Sequence, residues 1–266
     1  MSYEEEPFDI SYIDPETKSQ VKLSCILSKN KNNPNTILLC HGMFGDKNSE
    51  INEILLKGLI PFYSILRFDF EGNGGSSGEW DYADYNREIN NLANLVKIVT
   101  EKNKINIFCI IGHSKAGADV MIAASKKNLI ENQNCLFISL GGRLTFGKPE
   151  KRFTQDELQK IKNDGFIFWE HKGKKWKITQ KAIDERKNMN PLNDVKNINK
   201  ERAKKILHVH GLSDTSTPVE EAEVIRNAIP GSEIKYIEGA NHFFVGKEKE
   251  LVDVIAEWLK EKLKQN

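Results

Sequence analysis

Cysteine is scarce in this sequence. Only four occur, Cys25, Cys40, Cys109 and Cys135. No two of them form a Cys-x-x-Cys pair, which excludes the common zinc and dithiol redox motifs. Each lies in or beside an apolar run such as Thr36–Cys40 or Ile107–Ile111, where a free thiol behaves as a small hydrophobe. Buried thiols in a reducing compartment are the expectation. An excess of one charge is missing too. Lys and Arg total 39 against 38 Asp and Glu, a formal net charge of +1. The whole-chain field therefore gives no reason to expect nucleic acid or a charged membrane as partner. No uninterrupted apolar stretch reaches membrane-spanning length, which argues against stable membrane insertion. The opening residues Met1 to Pro7 lack the basic and apolar regions of a signal peptide. A cytoplasmic protein is the resulting expectation.

What the sequence does have is alternation. Asp9–Ile13, Lys22–Ser28, Thr36–Cys40, Ser64–Phe70, Asn106–Ile111, Leu136–Leu140, Ile206–His210 and Glu233–Ile237 read as strands. Several are near-continuous apolar segments, as expected of parallel strands covered on both faces. Between them, Tyr82–Glu101 carries a helical stripe of Ile89, Leu92, Ala93, Val96 and Val99. Ala116–Lys127, Pro218–Ala228 and Glu248–Leu263 read as further helices. Repeated strand–helix alternation implies right-handed crossovers and a mostly parallel sheet. The first two strands, joined by a short turn containing Pro15, are expected to form an antiparallel edge.

From Arg143 to Glu201 the alternation breaks. The segment is rich in Lys and Asn and holds no strand of the core type. Thr154–Lys162 reads as a helix with Thr154 and Glu157 in a capping box. Phe166–Glu170 and Lys175–Thr179 read as a hairpin turning at Gly173, and Thr179–Met189 as another helix. An insertion between core strands suggests a lid, giving a core of residues 1–142 and 202–266 and a cap of residues 143–201.

The strongest chemical signal is the apolar strand that runs into Gly112-His113-Ser114-Lys115-Ala116 and then into a helix. This is the strand–turn–helix context of a nucleophile elbow. A sharp turn needs small residues two before and two after the serine, and Gly112 and Ala116 meet that need. Four further segments accompany it. Cys40-His41-Gly42-Met43-Phe44-Gly45 closes one strand, and Phe68-Asp69-Phe70-Glu71-Gly72-Asn73-Gly74 closes the next. His208-Val209-His210-Gly211-Leu212-Ser213-Asp214 and Gly239-Ala240-Asn241-His242-Phe243 follow later apolar runs and carry Asp214 and His242. Gly72, Gly74, Gly75 and Gly78 are not followed by Gly-Lys-Ser/Thr, so they do not form a nucleotide phosphate loop.

In this order the segments resemble the α/β-hydrolase family, over the chain from Thr36 to the last helix. The cap, including Lys162-Asn163-Asp164-Gly165-Phe166, looks similar to the feruloyl-esterase-like and serine-aminopeptidase-like branch. The resemblance implies an α/β-hydrolase fold, an about eight-stranded, mostly parallel sheet flanked by helices. It implies Ser114 as nucleophile, His242 as base and Asp214 as the acid that orients it. The backbone N–H groups of Met43 and Lys115 become the expected oxyanion donors, with His41, Gly42, Gly112 and Ala116 as supporting residues. His113 is expected to be structural or pocket-lining, His208 and His210 to be packing histidines, and His171 to be solvated. Lys115 gives a weak hint of a pocket biased toward anions. No cofactor or metal is implied. The expected activity is cleavage of a small or medium carboxylic ester through an acyl-enzyme. Thioesters, acylglycerols and peptide-like amides use the same machinery. A small-molecule receptor or inactive binding scaffold of the same fold is the alternative. Oligomeric state is not legible.

Overall fold

The computed structural model describes residues 3–126, 130, 132–146 and 148–264, with Glu150 described in its backbone only. The chain begins with β1 (Glu4–Ile13), β2 (Gln20–Lys29), β3 (Asn35–Cys40), α1 (Glu50–Leu59) and β4 (Ser64–Phe68). It continues through α2 (Tyr85–Glu101), β5 (Asn106–His113), α3 (Lys115–Ser125) and β6 (Leu136–Leu140). After a 3₁₀ turn at Pro149–Arg152 come α4 (Gln155–Asp164), β7 (Phe166–His171), β8 (Lys174–Thr179), α5 (Gln180–Asn188), α6 (Pro191–Val195) and α7 (Lys200–Ala203). The chain closes with β9 (Ile206–Gly211), α8 (Glu220–Ala228), β10 (Glu233–Ile237) and α9 (Glu248–Lys264).

Eight strands form one sheet in the order β1-β2-β4-β3-β5-β6-β9-β10. The β1–β2 and β2–β4 pairs are antiparallel, and every other pair is parallel. Side chains alternate across the sheet because the strand period is two. Leu38, Leu66 and Ile110 therefore join one apolar layer with Ile89, Leu92 and Val120 of α2 and α3. Ile37, Leu39, Ile65 and Ile111 join the opposite layer with Leu55 and Leu59 of α1 and Ile255 and Leu259 of α9. Burial on both faces explains why β3, β4 and β6 read as unbroken apolar runs. Among the described residues no helix is long and apolar enough to cross a membrane. All four cysteines are buried and free.

The structure differs from the sequence reading at several element ends and in three helices that were not expected; α2 starts at Tyr85 instead of Tyr82 and β4 ends at Phe68 instead of Phe70. β1 extends back to Glu4, because its register with β2 runs from Glu4 opposite Lys29 to Ile13 opposite Gln20. Ladder pairing carries it past the polar stretch that hid its start. Helix α1 was not foreseen, although Ile51, Leu55 and Leu59 recur at helical spacing and are buried. Helices α6 and α7 escaped as well. They are short, and the asparagines Asn190 and Asn199 cap them by accepting from Asn193 N at 3.3 Å and Arg202 N at 2.9 Å. The abundant Asn there marks helix starts. The helix expected over Ala116–Lys127 runs Lys115–Ser125, and Lys127 lies outside the described residues.

The segment 143–201 carries a small apolar cluster of its own. Phe153, Ile161, Ile167, Ile178, Ala182 and Ile183 are buried together with Tyr82 of the preceding loop, and Met43, Trp80 and Trp169 pack against them. The capping box at Thr154 and Glu157 is formed, and Trp169 Nε1 donates to Glu157 Oε1 at 3.0 Å, tying β7 to α4. Ile178 is fully buried in this cluster. Ile178→Ala should cost about 2–5 kcal/mol, read as a lower urea midpoint; an unchanged midpoint would show that the cluster does not support the fold.

Candidate active site

Ser114 sits between the end of β5 and the start of α3, at φ 56° and ψ −115°. A non-glycine residue rarely adopts this conformation. The neighbouring glycines show what imposes it. A Cβ on Gly112 would lie 2.2 Å from the Ala116 carbonyl oxygen, and one on Gly117 would lie 2.7 Å from Ser139 Oγ. The first turn of α3 thus folds directly onto β5 and leaves Ser114 at the apex. Ala116, in place of a further glycine, is fully buried. Ser114 N donates to Leu140 O at 2.8 Å, pinning the apex to β6.

The sheet order sets what surrounds it. β3 is next to β5, so the loop after β3 lies against the elbow, and a Cβ on Gly42 would be 3.1 Å from Ser114 Cβ. His41 braces that loop: its Nε2 accepts from Phe70 N at 3.1 Å, so its Nδ1–H donates to Gly42 O at 2.9 Å. Asp69 accepts from Lys47 N at 2.6 Å and Gly75 N at 2.8 Å, holding the neighbouring turn.

Asp214 follows β9 and His242 follows β10, on the same sheet edge as Ser114. His242 Nε2 lies 2.9 Å from Ser114 Oγ, and His242 Nδ1 lies 2.6 Å from Asp214 Oδ2. The sequence reading and the geometry therefore bring the same three residues into one hydrogen-bonded line. Burial by itself would raise the Asp214 pKa. The bond from His242 and those from Thr217 N and Ser216 N, both 2.8 Å, outweigh it and hold the carboxyl below its usual range. A carboxylate facing Nδ1 fixes the tautomer that leaves Nε2 free to accept the Ser114 proton. His113 is buried, and its Nε2–H donates to the His242 carbonyl at 2.9 Å. Burial, then the adjacent His242, push its pKa down to about 3.

His208 and His210 do more than fill space. They belong to a buried chain whose direction is fixed at one end. His210 Nε2 is 3.0 Å from the Thr217 carbonyl, which only accepts, so Nε2 carries the proton. Its Nδ1 then accepts from His208 Nε2–H at 3.0 Å, and His208 Nδ1 accepts from Ser139 Oγ at 3.1 Å. The chain ends on Thr217, whose N–H holds Asp214 Oδ1. The sequence reading placed both histidines as packing residues and missed this link. Their i, i+2 spacing on a strand, four residues before the acid, was the available signal.

Lys115 departs from its expected bias of the pocket. Its side chain points into the protein, where Nζ pairs with Glu88 at 2.8 Å and lies 4.8 Å from the Tyr85 ring centroid. Asp119, one turn further along α3, is fully buried. Burial and then the Glu88 carboxylate raise its pKa well above the usual range. The charge of Lys115 is thus neutralised beneath the elbow, and it also offsets the unfavourable placement of a cation at a helix start.

Ser114 and His242 open onto a cavity of about 360 Å³, lined also by Phe44, Arg152, His171, Lys172 and Phe243. His171 is exposed, as expected, yet it forms part of this wall and stacks on Phe44 at 5.4 Å. Phe44 also meets Trp176 and Trp80, each at 5.1 Å between centroids. The β7–β8 hairpin is therefore seated on the loop that follows β3.

A mostly parallel sheet of this order with a serine elbow after β5, an acid after β9 and a histidine after β10 is the α/β-hydrolase fold. The prolyl oligopeptidase family matches residues 155–266, less than half of the chain. No curated protein matches. Among solved structures, the chain is similar to Est1E from Butyrivibrio proteoclasticus with ferulic acid bound, at 19% identity and a TM-score of 0.74, covering 95% of this chain and 99% of that one. It is similar to the Pyrococcus furiosus esterase Pf2001, at 20% identity and a TM-score of 0.70, covering 96% and 92%. The α/β-hydrolase GrgF from Penicillium sp. sh18 aligns at 17% identity and a TM-score of 0.73, covering 97% and 99%.

Two outcomes follow from this geometry. Gly112→Ala should displace the elbow, and a shift near 1 Å costs about 10²-fold in reactivity at Ser114. Labelling by a serine-directed probe checks this, with far-UV circular dichroism as the control for folding; labelling at the wild-type rate would contradict it. The second outcome concerns acid. His113 and His208 are pushed down to about 3, chiefly by burial, whereas an unfolded histidine titrates at about 6.5. Between those values the unfolded chain binds protons that the native chain does not. Stability is then full above about pH 6.5 and is lost as pH falls, by about 1.4 kcal/mol per group per unit. Urea midpoints should drop between about pH 7 and pH 5, with a shallower slope in His208→Gln. A flat wild-type profile would refute neutral burial.

Proposed function

We propose that the protein is a serine hydrolase acting on small or medium carboxylic esters through an acyl-enzyme at Ser114. The observation that carries this reading is the line from Ser114 Oγ through His242 to Asp214, set on a strained turn at a cavity. In the first step His242 Nε2 takes the Ser114 proton as Oγ attacks the ester carbonyl. The N–H groups of Met43 and Lys115 receive the developing oxyanion, and His242 returns the proton to the departing alcohol. Water, activated by the same imidazole, then releases the acid. Asp214 keeps its charge throughout and stabilises the imidazolium.

Residues 143–201 serve as a cap that shapes the cavity, since His171 and Lys172 of the hairpin and Arg152 line it. The esterases among the similar structures support ester cleavage, and the ferulic acid bound to Est1E makes aromatic acyl groups worth including in a substrate panel. The match to the prolyl oligopeptidase family favours a second reading, hydrolysis of peptide-like amides by the same machinery.

A fluorophosphonate probe should label the wild type and leave Ser114→Ala unlabelled; equal labelling of both would sink the proposal. With p-nitrophenyl esters, Asp214→Asn should lose about 10⁴-fold in turnover by imposing the wrong His242 tautomer. Ligand binding without Ser114-dependent turnover of any ester or amide would favour a receptor instead.

A further inference from the structure

We propose that Arg152 and Lys172 form an anion-recognition subsite at the mouth of the Ser114 cavity, and that the substrate carries a carboxylate away from its reacting carbonyl. The inference rests on the hydrolase reading for its substrate and on the cavity for its site. Arg152 ends the 3₁₀ turn Pro149–Arg152, and Lys172 stands at the tip of the β7–β8 hairpin. Both line the cavity that contains Ser114 and His242.

The cations near the base of the site are matched by acids: Lys47 by Asp69, Lys115 by Glu88, and Arg143 by Glu221. Arg152 and Lys172 have no carboxylate partner among the described residues. Glu50 is the one acid among the lining residues, so Arg152 and Lys172 against one carboxylate leave the lining net positive. A concave, low-dielectric cleft focuses such a field and raises the local concentration of an anionic substrate. The planar fork of Arg152 suits a carboxylate bidentately, while Lys172 supplies a point charge.

Lys172 is also held in place. It has φ 50°, followed by Gly173 at φ 72°, in a two-residue turn closed by the His171–Lys174 pair. Asn, Asp or Gly usually occupies that first position, because a side chain there strains the backbone. The hairpin itself rests on Phe44 through His171 and Trp176. The strained turn on a supported hairpin fixes the Lys172 backbone beside the cavity, from which its exposed side chain can reach an anion at the mouth.

Two matched ester pairs test the proposal. The acyl-side pair is p-nitrophenyl hemiglutarate against p-nitrophenyl pentanoate, and the alcohol-side pair is 4-acetoxybenzoate against 4-methylphenyl acetate. One pair should show kcat/KM at least about tenfold higher for the anionic member, an advantage that shrinks as salt is added. The pair that shows it assigns the carboxylate to the acyl or alcohol side. Arg152→Gln and Lys172→Gln should each lower that ratio, mainly through KM, and Lys172→Glu should invert it. No preference in either pair at low salt, or a preference surviving both Gln substitutions, would overturn the subsite. Failure of all turnover would fault the hydrolase reading, so binding is measured separately. Calorimetric titration of glutarate into Ser114→Ala should show saturable binding that Arg152→Gln weakens; no binding would overturn the subsite whatever the chemistry at Ser114.

Discussion

The contact between Gly112 and the carbonyl of Ala116 is the constraint on which the site depends. Because no side chain intervenes there, α3 starts directly over the end of β5, and Ser114 is forced to φ 56°. That single close approach raises the hydroxyl above the sheet edge and aligns it with groups from strands on either side. The loop after β3 reaches it from one flank, and the loops after β9 and β10 reach it from the other. The parallel sheet supplies the common edge, and two apolar layers keep the sheet rigid enough for distances of 2.6 and 2.9 Å to be held.

Charge is managed differently above and below that edge. Below it, Lys115 is neutralised by Glu88, and burial favours the neutral form of Asp119. His41, His113, His208 and His210 have their pKa values pushed down by burial, so they act as dipolar braces with fixed tautomers. Asp214 is the exception that stays charged, because three hydrogen bonds offset its desolvation. The positive residues at the cavity mouth, in contrast, face solvent. A scaffold that neutralises the ground beneath Ser114 leaves the field at the cavity mouth to be set by Arg152 and Lys172 of the segment 143–201.

Much of this arrangement was legible in the sequence where chemistry and periodicity coincide. The Gly112-to-Ala116 turn needs small residues on both sides of the serine, and Asp214 and His242 each follow an apolar run in the chain order of the α/β-hydrolase resemblance that nominated them. The sheet strands were legible because burial on both faces leaves few polar residues. What escaped depended on partners far along the chain. Nothing near Lys115 discloses that Glu88 lies beneath it, so its side chain read as a pocket feature. Nothing near His171 discloses Phe44. The chain from Ser139 to Asp214 passes through His208, His210 and Thr217, and tertiary pairing alone brings Ser139 to it. Helix α1 is a different kind of omission, since its apolar stripe was present in the sequence.

Phe44 has two attachments. Its backbone, at φ 62°, belongs to the same turn as Met43, while its ring is the floor on which the β7–β8 hairpin rests. Reshaping the hairpin would therefore tug on the turn beside Ser114. Under the proposed function selectivity and turnover share a hinge: grafting a foreign hairpin would retune both at once, and a graft that kept Trp176 and His171 against Phe44 would preserve the rate while changing the guest.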